Sequence, residues 1–113
     1  GNPEKLAKVA KINQFHVSLF AYYLEKLKSI KEGDGTLLDH SMLLYGSGMG
    51  NADIHDHINL PILVAGAIKG GRHVQYKEAT PLANLHLTML ERAGVRMDKF
   101  ADSKGKIDEL LSV

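Results

Sequence analysis

The sequence predicts an α/β fold: a small, mainly parallel sheet with a long helix before it and a second helix after it. Two observations carry this. The runs SMLLYG at 41–46 and LPILVAG at 60–66 are continuous and apolar, as strands covered on both faces of a parallel sheet are. On either side of them apolar residues recur at helical spacing. The order helix, strand, loop, strand, strand, helix belongs to the α/β class. A length of 113 residues suits one domain, 1–113, with one core.

The first helix has a legible start. Asn2 can cap it, Pro3 suits the first helical position, and Glu4 favours the positive helix end. Leu6, Val9, Ile12, Phe15 or His16, Leu19, Tyr23, Leu27 and Ile30 then recur at helical spacing. Gly33 is a natural stop before the turn-like DGT. Such a helix spans roughly 40–45 Å, which is long for so small a domain. It therefore lies across a sheet or packs on something outside this chain.

Residues 42–45 and 60–65 are expected as adjacent, mainly parallel strands, with Leu43, Leu63 and Leu85 in the core. A third short strand is expected at RHVQY, 72–76. Thr80 reads as a helix cap with Pro81 at the first position. Leu82, Leu85, Leu87, Met89 and Leu90 give that helix its apolar side, and Gly94 ends it. The tail, MDKFADSKGKIDELLSV, adds a short last helix.

Composition narrows the function classes. The net charge of +1, with no arginine-rich run, gives no field that would draw nucleic acid. The absence of cysteine excludes disulfides, thiolate zinc sites and a cysteine nucleophile. No apolar run approaches the roughly 20 residues needed to span a bilayer, so no membrane span is expected. The start, GNPEKL, lacks the features of a signal peptide.

The chemistry-bearing residues gather in GSGMGNADIHDHINLP, 46–61. Ligands in open α/β sheets sit beyond the carboxyl ends of strands, where this loop is expected. His55, Asp56 and His57 are candidate ligands for a divalent metal such as zinc, with Asp56 able to bridge two ions or orient a histidine. Arg72 and His73, in KGGRH, are candidates for holding an anion. A plainer reading stands beside each. Asn51 and Asp53 can make Asx turns, and Gly46, Gly48 and Gly50 can serve unusual backbone angles. KGGRH can be a bend. His40 can cap a strand or pair with Asp39, and His86 has no evident partner.

Three stretches carry a family resemblance. TLLDHSMLLYGSGMGNADIHDHINLPILVAGAIKGGRH, TPLANLHLTMLERAGV and KFADSKGKI together resemble the C-terminal part of the domain-of-unknown-function family 1552. These are bacterial proteins, commonly exported, without an assigned activity. The likeness covers most of residues 36–107. That family is in turn similar to the alkaline phosphatase and sulfatase superfamily, in which a strand ends in a Ser-Asp-His-Gly motif whose Asp and His bind metal. By position, Ser47 and Gly50 match the ends of that motif, while Gly48 and Met49 occupy the ligand places. His55 or His57 matches a later ligand, ahead of a strand at 60–64. The resemblance thus implies an exported or periplasmic protein, of which this chain is the C-terminal portion. It further implies a chain that is non-catalytic by itself, because glycine offers no ligand and a thioether suits hard ions poorly. The alternative it leaves is a hydrolase part giving His55 or His57 to a divalent-metal site for phosphate or sulfate ester hydrolysis. A first helix longer than its strands can cover also predicts a homo-oligomer.

Overall fold

The computed structural model describes residues 1–76 and 79–110, which fall into two compact units, Gly1–Ser41 and Met42–Val113. The first unit is built on helix α1, Pro3–Ser29. Its start follows the sequence: Asn2 Oδ1 accepts hydrogen bonds from the amides of Glu4 at 3.0 Å and Lys5 at 3.2 Å. It stops before Gly33, at Ile30, whose backbone is already extended. Gly33 serves the next element. With a φ of 56° it turns the chain between β1, Lys31–Glu32, and β2, Gly35–Thr36, which pair antiparallel. The Asp39 carboxylate accepts from the Thr36 hydroxyl at 2.7 Å and amide at 2.8 Å, which holds its carboxyl below the usual value. His40 does not pair with Asp39. Its Nδ1 lies 3.0 Å from a Glu32 carboxylate oxygen and its Nε2 lies 3.3 Å from one of Asp34.

Only Leu27 of α1 is buried, with Phe20 and Leu24 half-buried beside it at helical spacing. Ile12, Phe15, Leu19, Tyr22 and Tyr23 are half exposed or more. No helix among the described residues is long and apolar enough to cross a membrane.

The second unit begins with the two apolar runs, and here the expected parallel sheet is overturned. Strand β3, Met42–Gly46, pairs antiparallel with β4, Ile62–Gly66, in the register Met42↔Gly66 through Gly46↔Ile62. Among the described residues the fold has a long N-terminal helix, a C-terminal helix and two small antiparallel two-strand sheets. The physical reason lies in the connection. A parallel pair needs it to cross back over a face of the sheet. Here residues 47–61 continue the ladder instead. The Ser47 amide donates to the Pro61 carbonyl at 3.2 Å, that of Gly50 to Asp56 at 2.8 Å, and that of Asp56 to Asn51 at 2.9 Å. Strands this short are not covered on both faces. Leu43 is half-buried and Leu63 is 49% exposed, whereas Leu85 is buried as expected.

Residues 72–76 form no strand. Helix α2, Leu82–Arg92, starts after Pro81, which occupies the cap position without a side-chain bond. Gly94 ends it with a φ of 84°. The core gathers on this helix: Ala83, Leu85 and Leu87 are buried together with Asn84 and Thr88. Those two polar side chains staple the tail to the helix. Asn84 Oδ1 accepts from the Lys104 amide at 2.9 Å. Thr88 Oγ1 accepts from the Ile107 amide at 2.8 Å while donating to the Asn84 carbonyl. The Lys106 ammonium pairs with the Glu91 carboxylate. The expected tail helix is thus an irregular strap ending in a single 3-10 turn, Asp108–Leu110, and its residues 111–113 lie outside the described residues.

Thr88 is fully buried, so Thr88→Val should leave the Ile107 amide without an acceptor. The expected loss in urea unfolding is about 1–3 kcal/mol, the cost of stranding one buried donor. Thr88→Ser, which keeps the hydroxyl, should lose clearly less.

Candidate functional site

The loop between β3 and β4 uses most of its own polar groups. Asn51 Oδ1 accepts from the Asp53 amide at 3.0 Å, and Asp56 Oδ1 accepts from the Ile58 amide at 3.0 Å, two Asx turns in succession. The Ser47 hydroxyl accepts from the Met49 amide at 3.1 Å. Where the two arms meet, the backbones touch. A Cβ built at Gly50 would fall on the Ile58 carbonyl oxygen, and one at Gly46 on that of Pro61. Glycine at these two places is a condition of closure. Gly48 has open space around its Cβ position, and the loop uses its carbonyl instead. His55 and Asn59 take up the remaining bend with φ of 54° and 52°, a region that side chains other than glycine rarely adopt.

His57 is fixed by this frame. Its Nδ1 lies 2.7 Å from the Gly48 carbonyl oxygen. A carbonyl only accepts, so Nδ1 carries the proton and Nε2 of the neutral ring is left with its lone pair. That is how a metal-binding or proton-accepting imidazole is commonly set. The three candidate ligands nevertheless do not converge. Among the described residues no group of three or more His, Asp or Glu side chains is placed to hold one metal ion. One Asp56 oxygen is already bonded within the loop, and His55 sits exposed at the strained bend. The arrangement therefore suits one fixed imidazole donor, with any further ligands coming from elsewhere.

The second candidate pair lies far along the chain and is engaged differently. Arg72 donates from a guanidinium nitrogen to the Glu109 carbonyl at 3.0 Å. The Tyr76 hydroxyl donates to the Glu109 carboxylate at 2.9 Å. Residues 72–76 are thereby latched to the 3-10 turn, and one Arg72 donor is spent on a backbone carbonyl. His73 is exposed. Burial, and then the adjacent Glu109, push the Tyr76 phenol up to about 12.

One feature escapes motif reading altogether. An apolar recess of about 410 Å³ lies between β3 and α2, lined by Met42, Leu44, His86, Met89, Leu90, Ala93 and Phe100. The signal for it is distributed: alternate residues on a strand, and residues at 86, 89, 90 and 93 on one stripe of a helix. His86 finds its partner here, its ring meeting Phe100 nearly edge-on with centroids 6.0 Å apart.

Two outcomes are expected. Gly50→Ala should open the loop, moving the His57 ring nitrogen shifts from those of an Nδ1-protonated ring toward the mixture of an unconstrained one; unchanged shifts would show that the loop does not hold the tautomer. For Tyr76 the folded phenol titrates above the ordinary value of 10.0, so the stability it contributes is present below about pH 10 and is lost between there and about pH 12. A tyrosinate absorbance titration should show one late-ionising group that disappears in Tyr76→Phe.

No family model matches the chain, and neither a curated protein nor a solved structure does.

Proposed function

We propose that this chain is a non-catalytic C-terminal portion of an exported protein similar to family 1552, and through it to the alkaline phosphatases and sulfatases. What supports the reading is the pair Gly48–Met49, which, on that resemblance, falls where the superfamily places a metal-binding Asp and His. Neither residue can replace those ligands. Closure of the loop points the same way, since Asn51 and Asp56 spend side-chain oxygens on backbone amides. A loop built like this presents a shaped surface rather than a ligand cage.

A second reading rests on one atom. His57 Nε2 is the kind of donor that a divided metal site could use, with the remaining ligands and a nucleophile supplied by another segment. Under this reading the chain is part of a metal-dependent phosphate or sulfate ester hydrolase. The upstream reading frame separates the two: a signal peptide followed by a strand ending in Ser or Thr, with Asp close by, favours the hydrolase.

The chain acts as a homo-oligomer in this proposal. Phe20, Leu24 and Leu27 face one way on α1, and Phe15, Leu19 and Tyr22 form a second stripe at the same spacing that nothing in the first unit covers. Large contiguous apolar patches are uncommon on monomers. Packing helix against helix across a two-fold axis would bury this stripe.

The chain alone should not turn over an aryl phosphate or aryl sulfate with zinc or manganese present. Turnover that disappears in His57→Ala would replace the first reading by the second. Any zinc that binds should do so weakly, should be lost in His57→Ala, and should dissociate on acidification because only the neutral imidazole coordinates. Sedimentation should give a species heavier than the monomer, reduced to the monomer by Leu19→Asp.

A further inference from the structure

We propose that the outer edge of β3 and the apolar recess beside it form a docking groove for an extended, uncharged segment of another polypeptide, which joins β3 as an added strand. This stands apart from the reading of the loop and uses none of its candidate metal ligands.

The ladder gives the first part. Because the Ser47 amide bonds to the Pro61 carbonyl, the pairs bonded across the ribbon are Ser47 with Pro61, Tyr45 with Leu63, and Leu43 with Ala65. The amides and carbonyls of Met42, Leu44 and Gly46 therefore turn away from β4. Among the described residues the ribbon has no third strand, and no backbone hydrogen bond outside it reaches those three residues. The far edge of β4 is blunted by comparison. The Gly66 carbonyl, which faces that way, already accepts from the Ile68 amide at 2.7 Å.

The recess gives the second part. It is lined by Met42 and Leu44, two of the residues whose backbone groups turn outward, and by no residue of β4. Strand addition gains its affinity from main-chain bonds and its selectivity from pockets for alternate side chains, and both are present together here. Only an extended chain repeats its donors and acceptors at the spacing that Met42, Leu44 and Gly46 offer. The recess asks for a bulky apolar side chain at the position beside Leu44. No Asp, Glu, Lys or Arg lines it, so a charged side chain would be desolvated there without a partner. The strand is also unguarded. MLLYG holds none of the charges or prolines that usually keep an edge from pairing.

The test is a nuclear magnetic resonance titration of the ¹⁵N-labelled full chain with a short capped peptide that alternates threonine and valine and carries phenylalanine at its centre. Saturable shifts are expected at the Met42, Leu44 and Gly46 amides and at His86, Met89 and Phe100, with slowed exchange at those three amides. The same peptide N-methylated on alternate residues, or carrying aspartate in place of phenylalanine, should bind about tenfold more weakly or worse. Leu44→Lys should lose binding, and Ala93→Glu, placed on the helix side of the recess, should do so without touching the strand. Shifts along the β4 edge, equal binding by the control peptides, or no saturation would overturn the proposal. So would contacts between the β3 strands of two copies in a mixed-label sample, which would show that a second copy owns the edge.

Discussion

The antiparallel pairing of β3 with β4 is the constraint on which the second unit depends. Once Gly46 faces Ile62, the chain leaving β3 and the chain entering β4 are neighbours, and residues 47–61 have no distance to travel. They fold back on themselves, and the two backbones come too close for any side chain at Gly46 or Gly50. Everything that gives the loop its chemical character follows from this contact. The Gly48 carbonyl is turned toward His57, the Asx turns at Asn51 and Asp56 form within the bend, and His55 and Asn59 take the strained angles that let it close. A parallel pairing of the same strands would have drawn the loop out across the sheet and dispersed those groups.

A two-stranded ribbon is too small to hold a unit by itself, and α2 supplies the rest. What it adds is not only hydrophobic. Leu87 and Leu85 are buried, but so are Asn84 and Thr88 on the same helix, and these catch amides of the strap at Lys104 and Ile107. A helix that buries polar side chains must find partners for them. An irregular strap has amides without ladder partners. Each requirement is met by the other, which explains how KFADSKGKI can be ordered without being a helix or a strand. The remaining cover on α2 is thin, and the recess beside β3 is where it stops.

Local signals in the sequence were legible where a single residue decides the outcome. Asn2 caps α1, Gly94 ends α2, and the Asx turn at Asn51 forms between the groups its side chain can reach. The apolar runs were legible as strands, but not their direction. Continuous apolar sequence reports what a strand could bury, and here the burial is incomplete: Leu63 and Leu44 remain exposed to about the extent of surface residues. Direction was set by backbone bonds in the loop, which no periodicity reveals. The same holds for the end of α1. Gly33 has the right chemistry for a helix stop, yet the hairpin of β1 and β2 needs it three residues past Ile30, which ends the helix instead. The candidate ligands were legible as residue types only. Whether three of them converge depends on the bend at His55, where a non-glycine residue takes a left-handed angle that spacing does not predict.

The state of His57 shows how much a closed loop can still offer. Three of the loop's side chains, Ser47, Asn51 and Asp56, are spent on backbone amides, as expected where a bend must satisfy its own donors. His57 also bonds to the backbone, but an imidazole has two nitrogens, and the bond to Gly48 uses only Nδ1. What shapes the loop therefore also orients Nε2, so structural and chemical roles coincide in one ring. For the carboxylates the two roles compete: an Asp56 oxygen that accepts from Ile58 is a weaker candidate for a cation. Of the candidate ligands, His57 is the one whose loop-shaping bond fixes a ring and leaves its other nitrogen directed, whereas Asp56 keeps only its second carboxylate oxygen.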